Sequence, residues 1–302
     1  MNTASTRDAI EIVEVGPRDG LQNEDTILTT RQKIDLIDHL VRAGVRRIEA
    51  VSFAHPTYVP QMADAEAVMA GIDAVEGVSY IGLVMNAKGF ERALATRVDE
   101  INMPIMATDT FNRENQGVAT AESIAVLRDA VATAHARGTS VSATIGVAWG
   151  CPFEGEVPLT GLLGVVEAVI ATGVDEIAVA DTIGVADPWA VTERINATST
   201  MTGDLPLRVH FHDTRNTGIA NTYAAIQSGV RVVDASVGGI GGCPFAPAAT
   251  GNIPTDDLVY MLDRAGFSHG LSLDDLIGVS GEVAGALGKD VPAMLPRAGG
   301  FP

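Results

Sequence analysis

Three side chains in this sequence have the types and spacing of a metal site. His210 and His212 are separated by one residue in the run PLRVHFHDTRN. Alternate residues of a strand point the same way, so both imidazoles share one face and Phe211 takes the other. The run is apolar until it breaks into polar residues, which places the pair at the carboxyl end of a buried parallel strand, where α/β folds keep their ligands. Two imidazoles there suggest a metal; the other reading is a pair of hydrogen-bonded core histidines. With Asp19 in the early segment VGPRDGLQNE, they make a set of two histidines and one carboxylate that leaves coordination positions open. Asn252, in the loop TGN, could add an oxygen. Oxygen and imidazole ligation without thiolate fits Mg2+ or Mn2+, does not exclude Zn2+, and also matches the non-haem iron triad.

Such residues need a scaffold that brings distant segments together. IEIVEV (10–15) reads as a first strand, ending at Gly16-Pro17. Residues 30–43 follow as an amphipathic helix with Thr30 as its N-cap, ending before Gly44. The unit then recurs: a helix closing on Gly44, Gly138, Gly173 or Gly229, then an apolar strand ending in a polar residue. VRRIEAVSF, VSYIGLVM, VDEINMPIM, VSATIGVA, VDEIAVAD, LRVHFH and VRVVDASV bring the strands to eight. Helices are expected at 120–137, 158–172, 188–199 (capped by Asp187) and 217–228. Eight β/α units without a linker predict an α/β fold, a single (β/α)8 TIM barrel over residues 1–302. Residues 254–290 should form the last barrel helix and an appended helical segment, and the Gly/Pro-rich end should be loose.

The strand ends of a barrel converge at one mouth, and Arg18, Asp19, Glu49, Ser52, Asn86, Thr144, Asp181, Thr182, both histidines and Ser236 are expected there. Charges at buried strand ends must be paired or bind something. Arg18, Glu49 and Asp181 could form a structural ion-pair ring, though that leaves the histidines unexplained. The loop GGIGGCPFAP (238–247) follows the last strand; its glycines let it bend over a ligand, and Cys243 at its tip could deliver a proton. Cys151, in WGCPFEG, reads instead as a small buried hydrophobe.

With 20 basic against 38 acidic residues, the chain carries a net charge of -18, which disfavours nucleic acid and anionic membranes as partners. The beginning MNTASTRDAI lacks the apolar core of a signal peptide and no apolar run reaches membrane length, so a cytoplasmic protein is expected.

VGPRDGLQNE, SFxxPxYVPQM, ADTIGV, VHFHDT and GGxGGCPFAPxATGN occur in one order, and on these motifs the chain, from about residue 10 to 290, resembles the 3-hydroxy-3-methylglutaryl-CoA lyases. The resemblance implies that Asp19, His210, His212 and Asn252 hold Mg2+ or Mn2+. It also implies that Arg18 neutralises the enolate formed on cleavage to acetoacetate and acetyl-CoA, and that Cys243 protonates it. Glu49 and Asp181 would orient these groups, with Gln22 and Thr182 beside them. The chain departs from the usual pattern in three places: Arg215-Asn216-Thr217 replace Tyr-Gly-Gln, Thr144 stands where a tyrosine is usual, and Asp256 where a glutamate is. Thr144 and Arg215 thereby become candidate substrate contacts, and a related thioester, isoprenoid-branched or citramalyl-type, becomes an alternative substrate. Condensation in the manner of isopropylmalate synthases is a further alternative. The acyl-CoA partner is anionic, so cations near the mouth are needed, Lys88 and Arg113 being nearest by position. The family tendency implies a homo-oligomer, a dimer or tetramer.

Overall fold

A computed structural model describes residues 7–243 and 246–301. Eight parallel strands close a barrel in strict chain order: β1 (Glu11–Glu14), β2 (Arg47–Ser52), β3 (Ser79–Leu83), β4 (Glu100–Met106), β5 (Ser140–Gly146), β6 (Glu176–Asp181), β7 (Leu207–Phe211) and β8 (Val232–Ala235). All eight expected strands are present. Helices α1 (Thr30–Arg42), α2 (Ala65–Gly71), α3 (Ala87–Leu94), α4 (Asp109–Gln116), α5 (Thr120–His135), α6 (Leu159–Ile170), α7 (Pro188–Thr202) and α8 (Gly218–Gln227) fill the connections. The chain is a (β/α)8 TIM barrel whose last helix, after β8, is α9 (Thr255–Ala265), with α10 (Leu273–Leu287) appended to it. Among the described residues no helix is long and apolar enough to cross a membrane.

Local signals start the helices where the backbone needs partners. Asp187 caps α7 through bonds from the Trp189 and Ala190 amides, as expected. At α1 the cap falls one residue earlier than expected: Thr29 accepts from the Gln32 amide and the Gln32 side chain bonds back. That reciprocal pair satisfies two amides that the first turn cannot, which Thr30 inside the helix could not do. The C-terminal stretch also differs from its expected looseness. Asp257 accepts the amides of Met294 and Leu295 at 3.0 Å, and Val291, Ala293 and Leu295 are buried. These apolar side chains, spaced two apart, were enough to seat the segment.

The core divides by the strand period. Outward residues such as Ile48, Val179, Val209 and Phe211 are buried against the helices. The inward residues are largely polar. Arg47 on β2 pairs with Glu100 on β4 and Glu176 on β6, both at 2.8 Å. Arg208 on β7, fully buried, pairs with Glu176 and with Asp234 on β8. Each of these inward arginines and carboxylates thus faces an opposite charge, the condition under which ions can leave water.

Glu14, at the end of β1, joins this interior to the mouth. One of its oxygens accepts the amides of Gly16 and Val237, the other the hydroxyl of Thr255. The carboxyl therefore ties the turn after β1 to the loop after β8 and to the start of α9. Burial outweighs these donors and pushes its pKa up to about 7. Raised above the ordinary carboxyl value of 4.5, the group contributes stability that is fully present below pH 4.5 and lost as pH rises to about 7. The shift corresponds to about 3 kcal/mol. Glu14→Gln keeps the shape and removes the titration, so thermal unfolding of the variant and the parent should diverge with pH between 4.5 and 7; parallel curves would contradict this.

Candidate functional site

β1 ends in a single wide turn, Gly16–Gly20, in which the amides of Arg18, Asp19 and Gly20 all converge on the Val15 carbonyl. The turn aims Arg18 and Asp19 over the open end of the barrel. β7, separated from β1 only by β8, delivers the histidines to the same side of the mouth: with Arg208, they occupy successive inward positions, while Phe211 turns outward and packs on Trp149 at 5.5 Å between ring centres. The Nε2 atoms of His210 and His212 lie 3.8 and 3.7 Å from Asp19 Oδ2. Ligand atoms of all three residues fall within 4.8 Å of one another, and all three are buried.

Asn252 completes the corner. Its backbone pairs with that of His212, and its Nδ2 donates to the Ile240 carbonyl at 3.2 Å. That bond fixes the amide so that Oδ1 is left buried without a hydrogen-bond partner, as Asp19 Oδ2 is. Buried oxygens are rarely orphaned, and two beside a pair of imidazoles fit a hard or borderline divalent cation. Gly241 lets the loop close here: its φ of +125° is foreign to other residues, and a Cβ would stand 2.7 Å from Asn252 Nδ2.

Charge is arranged to suit a cation. Burial by itself would raise the Asp19 carboxyl, but Arg18 beside it and the two histidines hold it at about 2. His212 is pushed down to about 4 by burial and by His210, so its ring is neutral at pH 7. His210 also suffers burial, but its hydrogen bond with Asp234 prevails and raises it. The two residues are cross-strand partners of β7 and β8, and His210 Nδ1 lies 3.1 Å from Asp234 Oδ2. Asp234 can therefore hold the Nδ1 proton, turning the Nε2 lone pair toward Asp19. Asp234→Asn should weaken Mn2+ binding about 10- to 100-fold, the usual effect of losing such a partner; an unchanged calorimetric Kd would show that it orients nothing.

Beside this polar corner lies a cleft open to solvent. Arg18, Gln22, Thr144, Thr182 and the two histidines edge it, and Leu83, Met85, Pro104, Met106 and Phe111 supply an apolar wall. The guanidinium of Arg18 is held by Glu49, which accepts from Nε at 2.7 Å and also from Nη2, and by Asp19, which accepts from Nη1.

Thr182 stays at the cleft edge, whereas most other expected residues stand further off. Asp181 is fully buried and accepts the Val185 and Ala186 amides; burial raises its pKa. Thr182 Oγ1 accepts the Val147 amide. Arg215 does not reach the cleft, because its Nη1 donates to the carbonyls of Ile183 and Gly184, bracing the loop after β6. Asn86 caps α3, Lys88 lies exposed in a separate recess with His55 and Arg92, and Arg113 pairs with Asp109 on its own helix. Ser52 Oγ accepts the Ala54 amide, while Ser236 Oγ is buried without a partner. Cys151 is buried, with the Thr108 hydroxyl on its sulfur at 3.2 Å. The backbone of Cys243 pairs with Ala246, but its side chain lies outside the described residues. Three contributors escaped the sequence reading: Asn102, Arg208 and Asp234. All sit at inward positions inside strands, and the alternation Arg208-His210-His212 was the available signal for one of them.

Comparison with known proteins agrees with this geometry. The HMGL-like family model matches residues 9–283. The chain is 38% identical to a hydroxymethylglutaryl-CoA lyase of Bacillus subtilis over 284 residues, covering 94% of this chain and 95% of that protein. It is also 38% identical to the (R)-citramalyl-CoA lyase of Chloroflexus aurantiacus, covering 97% and 95%. Among solved structures, an HMG-CoA lyase from Acinetobacter baumannii in complex with coenzyme A and 3-methylmalate superposes with a TM-score of 0.94 at 39% identity, covering 99% of this chain and 97% of that one. The chain belongs to the HMGL-like family of carbon-carbon lyases.

Proposed function

We propose that the protein cleaves 3-hydroxy-3-methylglutaryl-CoA to acetoacetate and acetyl-CoA with Mg2+ or Mn2+ bound at Asp19, His210, His212 and Asn252. The observation that carries this reading is the buried Asp19–His210–His212 set placed beside Arg18 at the edge of one cleft. A divalent cation there supplies Lewis acidity toward the substrate's hydroxyl and carboxylate oxygens. The chain's own residues do the rest. As the C2–C3 bond breaks, its electron pair passes to the thioester side as an enolate, and the hydroxyl gives its proton to solvent at the cleft mouth to leave a ketone; Cys243 recovers a proton from the same solvent after turnover, so none is gained or lost overall. Arg18, fixed by Glu49 and Asp19, presents a permanent positive charge where that enolate oxygen develops. Cys243 is assigned as the donor that protonates the enolate carbon. The apolar wall from Leu83 to Phe111 holds the acyl branch and keeps water from the carbanion.

Steady-state cleavage of 3-hydroxy-3-methylglutaryl-CoA and citramalyl-CoA side by side tests the substrate. The expected result is a higher kcat/KM for the former. A preference for the latter would move the assignment to the second thioester, which the likeness to the Chloroflexus enzyme and the short Thr144 side chain at the cleft favour.

A further inference from the structure

We infer that Asn102 and Thr144 are positioning residues for Arg18, linked to it by a relay that crosses four strands. Arg18 places both Nε and Nη2 on one oxygen of Glu49, Oε2. The other oxygen, Oε1, accepts from Asn102 Nδ2 at 3.0 Å, reaching past β3 from β4. Asn102 Oδ1 in turn accepts from Thr144 Oγ1 at 2.9 Å, from β5. The Asn102 amide is oriented this way because the flipped form would set its oxygen against the Glu49 carboxylate.

The relay is out of water for most of its length. Glu49 is 1% exposed and Asn102 2%, so neither Glu49 Oε1 nor the amide can replace a lost partner with solvent. A carboxylate held at only one oxygen can turn about its terminal torsion, and an arginine with two donors on that oxygen must follow. Thr144 ends the relay at the cleft, where its hydroxyl proton is committed to Asn102. The identity of residue 144 is thereby transmitted to the placement of the guanidinium, at a site where misplacement of a charge is felt in the rate.

The role rests on the reading of Arg18 under Proposed function, and its test separates the two. In Mn2+-loaded protein acting on the better thioester, Thr144→Val, which removes only the hydroxyl's bond, should lower kcat about 5- to 10-fold. Asn102→Leu, which also strands a buried carboxylate oxygen, should lower it about 10- to 100-fold. The Mn2+ Kd should stay within about twofold in both, since neither residue contacts the cation, and KM should do the same, since valine and leucine keep the shapes of the side chains they replace at the cleft and the Thr144 hydroxyl is committed to Asn102 rather than to substrate. Thr144→Ser should restore most of kcat. The double variant should be no slower than Asn102→Leu alone, because Thr144 acts only through Asn102. Multiplying effects, or a change in KM instead of kcat, would overturn the relay. The 15N–Hε signal of Arg18, identified by its loss in Arg18→Lys, reads the same geometry without turnover: it should shift in Thr144→Val and hold in Thr144→Ser. An unmoved signal contradicts the relay, whereas a shifted signal in a protein that cleaves neither thioester upholds it and counts against the proposed function alone.

Discussion

Arg18→Met is expected to lower kcat by about a thousandfold, the upper range for removing one preorganised stabiliser of developing charge, while KM changes little. The expectation follows from how the guanidinium is held. It is nearly buried, and Glu49 and Asp19 both bind it, so its position is set before substrate arrives and costs no reorganisation during bond cleavage. An interaction with charge that exists only as the C2–C3 bond breaks must appear in kcat. Arg18→Lys keeps the charge but cannot place two donors on Glu49 Oε2, and should fall between the parent and Arg18→Met. Steady-state kinetics of the two variants decide the matter; a loss confined to KM would make Arg18 a substrate anchor.

Asp19→Asn should weaken Mn2+ binding about a thousandfold: a carboxylate and a divalent cation about 4 Å apart attract by about 8 kcal/mol at the effective dielectric of a protein site, and desolvation of the charge together with the oxygen that asparagine retains offsets about half of it. Asp19 is the only carboxylate in the described set, and its proton affinity is held so low by Arg18 and the histidines that it is ionised throughout the working pH range. Asparagine preserves the shape and removes the charge. Titration calorimetry of metal-free protein with Mn2+ measures the change directly. If Kd moves by less than tenfold, the cation is held elsewhere.

The barrel was legible because its rhythm repeats. Four helices close on a glycine (Gly44, Gly138, Gly173 and Gly229) and each strand is a short apolar run, and β7 added the one spacing, His210-Phe211-His212, that both phases the strand and suggests its chemistry. PRDG supplied the third candidate ligand, Asp19, since the turn after β1 had to sit at the same mouth. What the linear pattern concealed lies at two levels. Asn102, Arg208 and Asp234 sit inside runs that read as apolar, and their importance comes from neighbours on other strands: Glu49, Glu176 and His210. Lys88 was placed near the mouth by sequence position and Arg215 by its departure from the family pattern, but the direction a loop side chain takes depends on carbonyls and helix ends that no local spacing records. Arg215 turned to the Ile183 and Gly184 carbonyls, and Lys88 to an exposed recess.

The most direct measurement begins with metal-free protein and 3-hydroxy-3-methylglutaryl-CoA, follows acetyl-CoA by mass spectrometry, and then adds Mg2+ or Mn2+. The arrangement of Arg18, Asp19, His210 and His212 predicts no release before the cation and steady release of acetyl-CoA after it. Release at the same rate without metal would contradict the assignment of the triad, and absence of acetyl-CoA from both this thioester and citramalyl-CoA, with the cation demonstrably bound, would contradict the lyase reading itself.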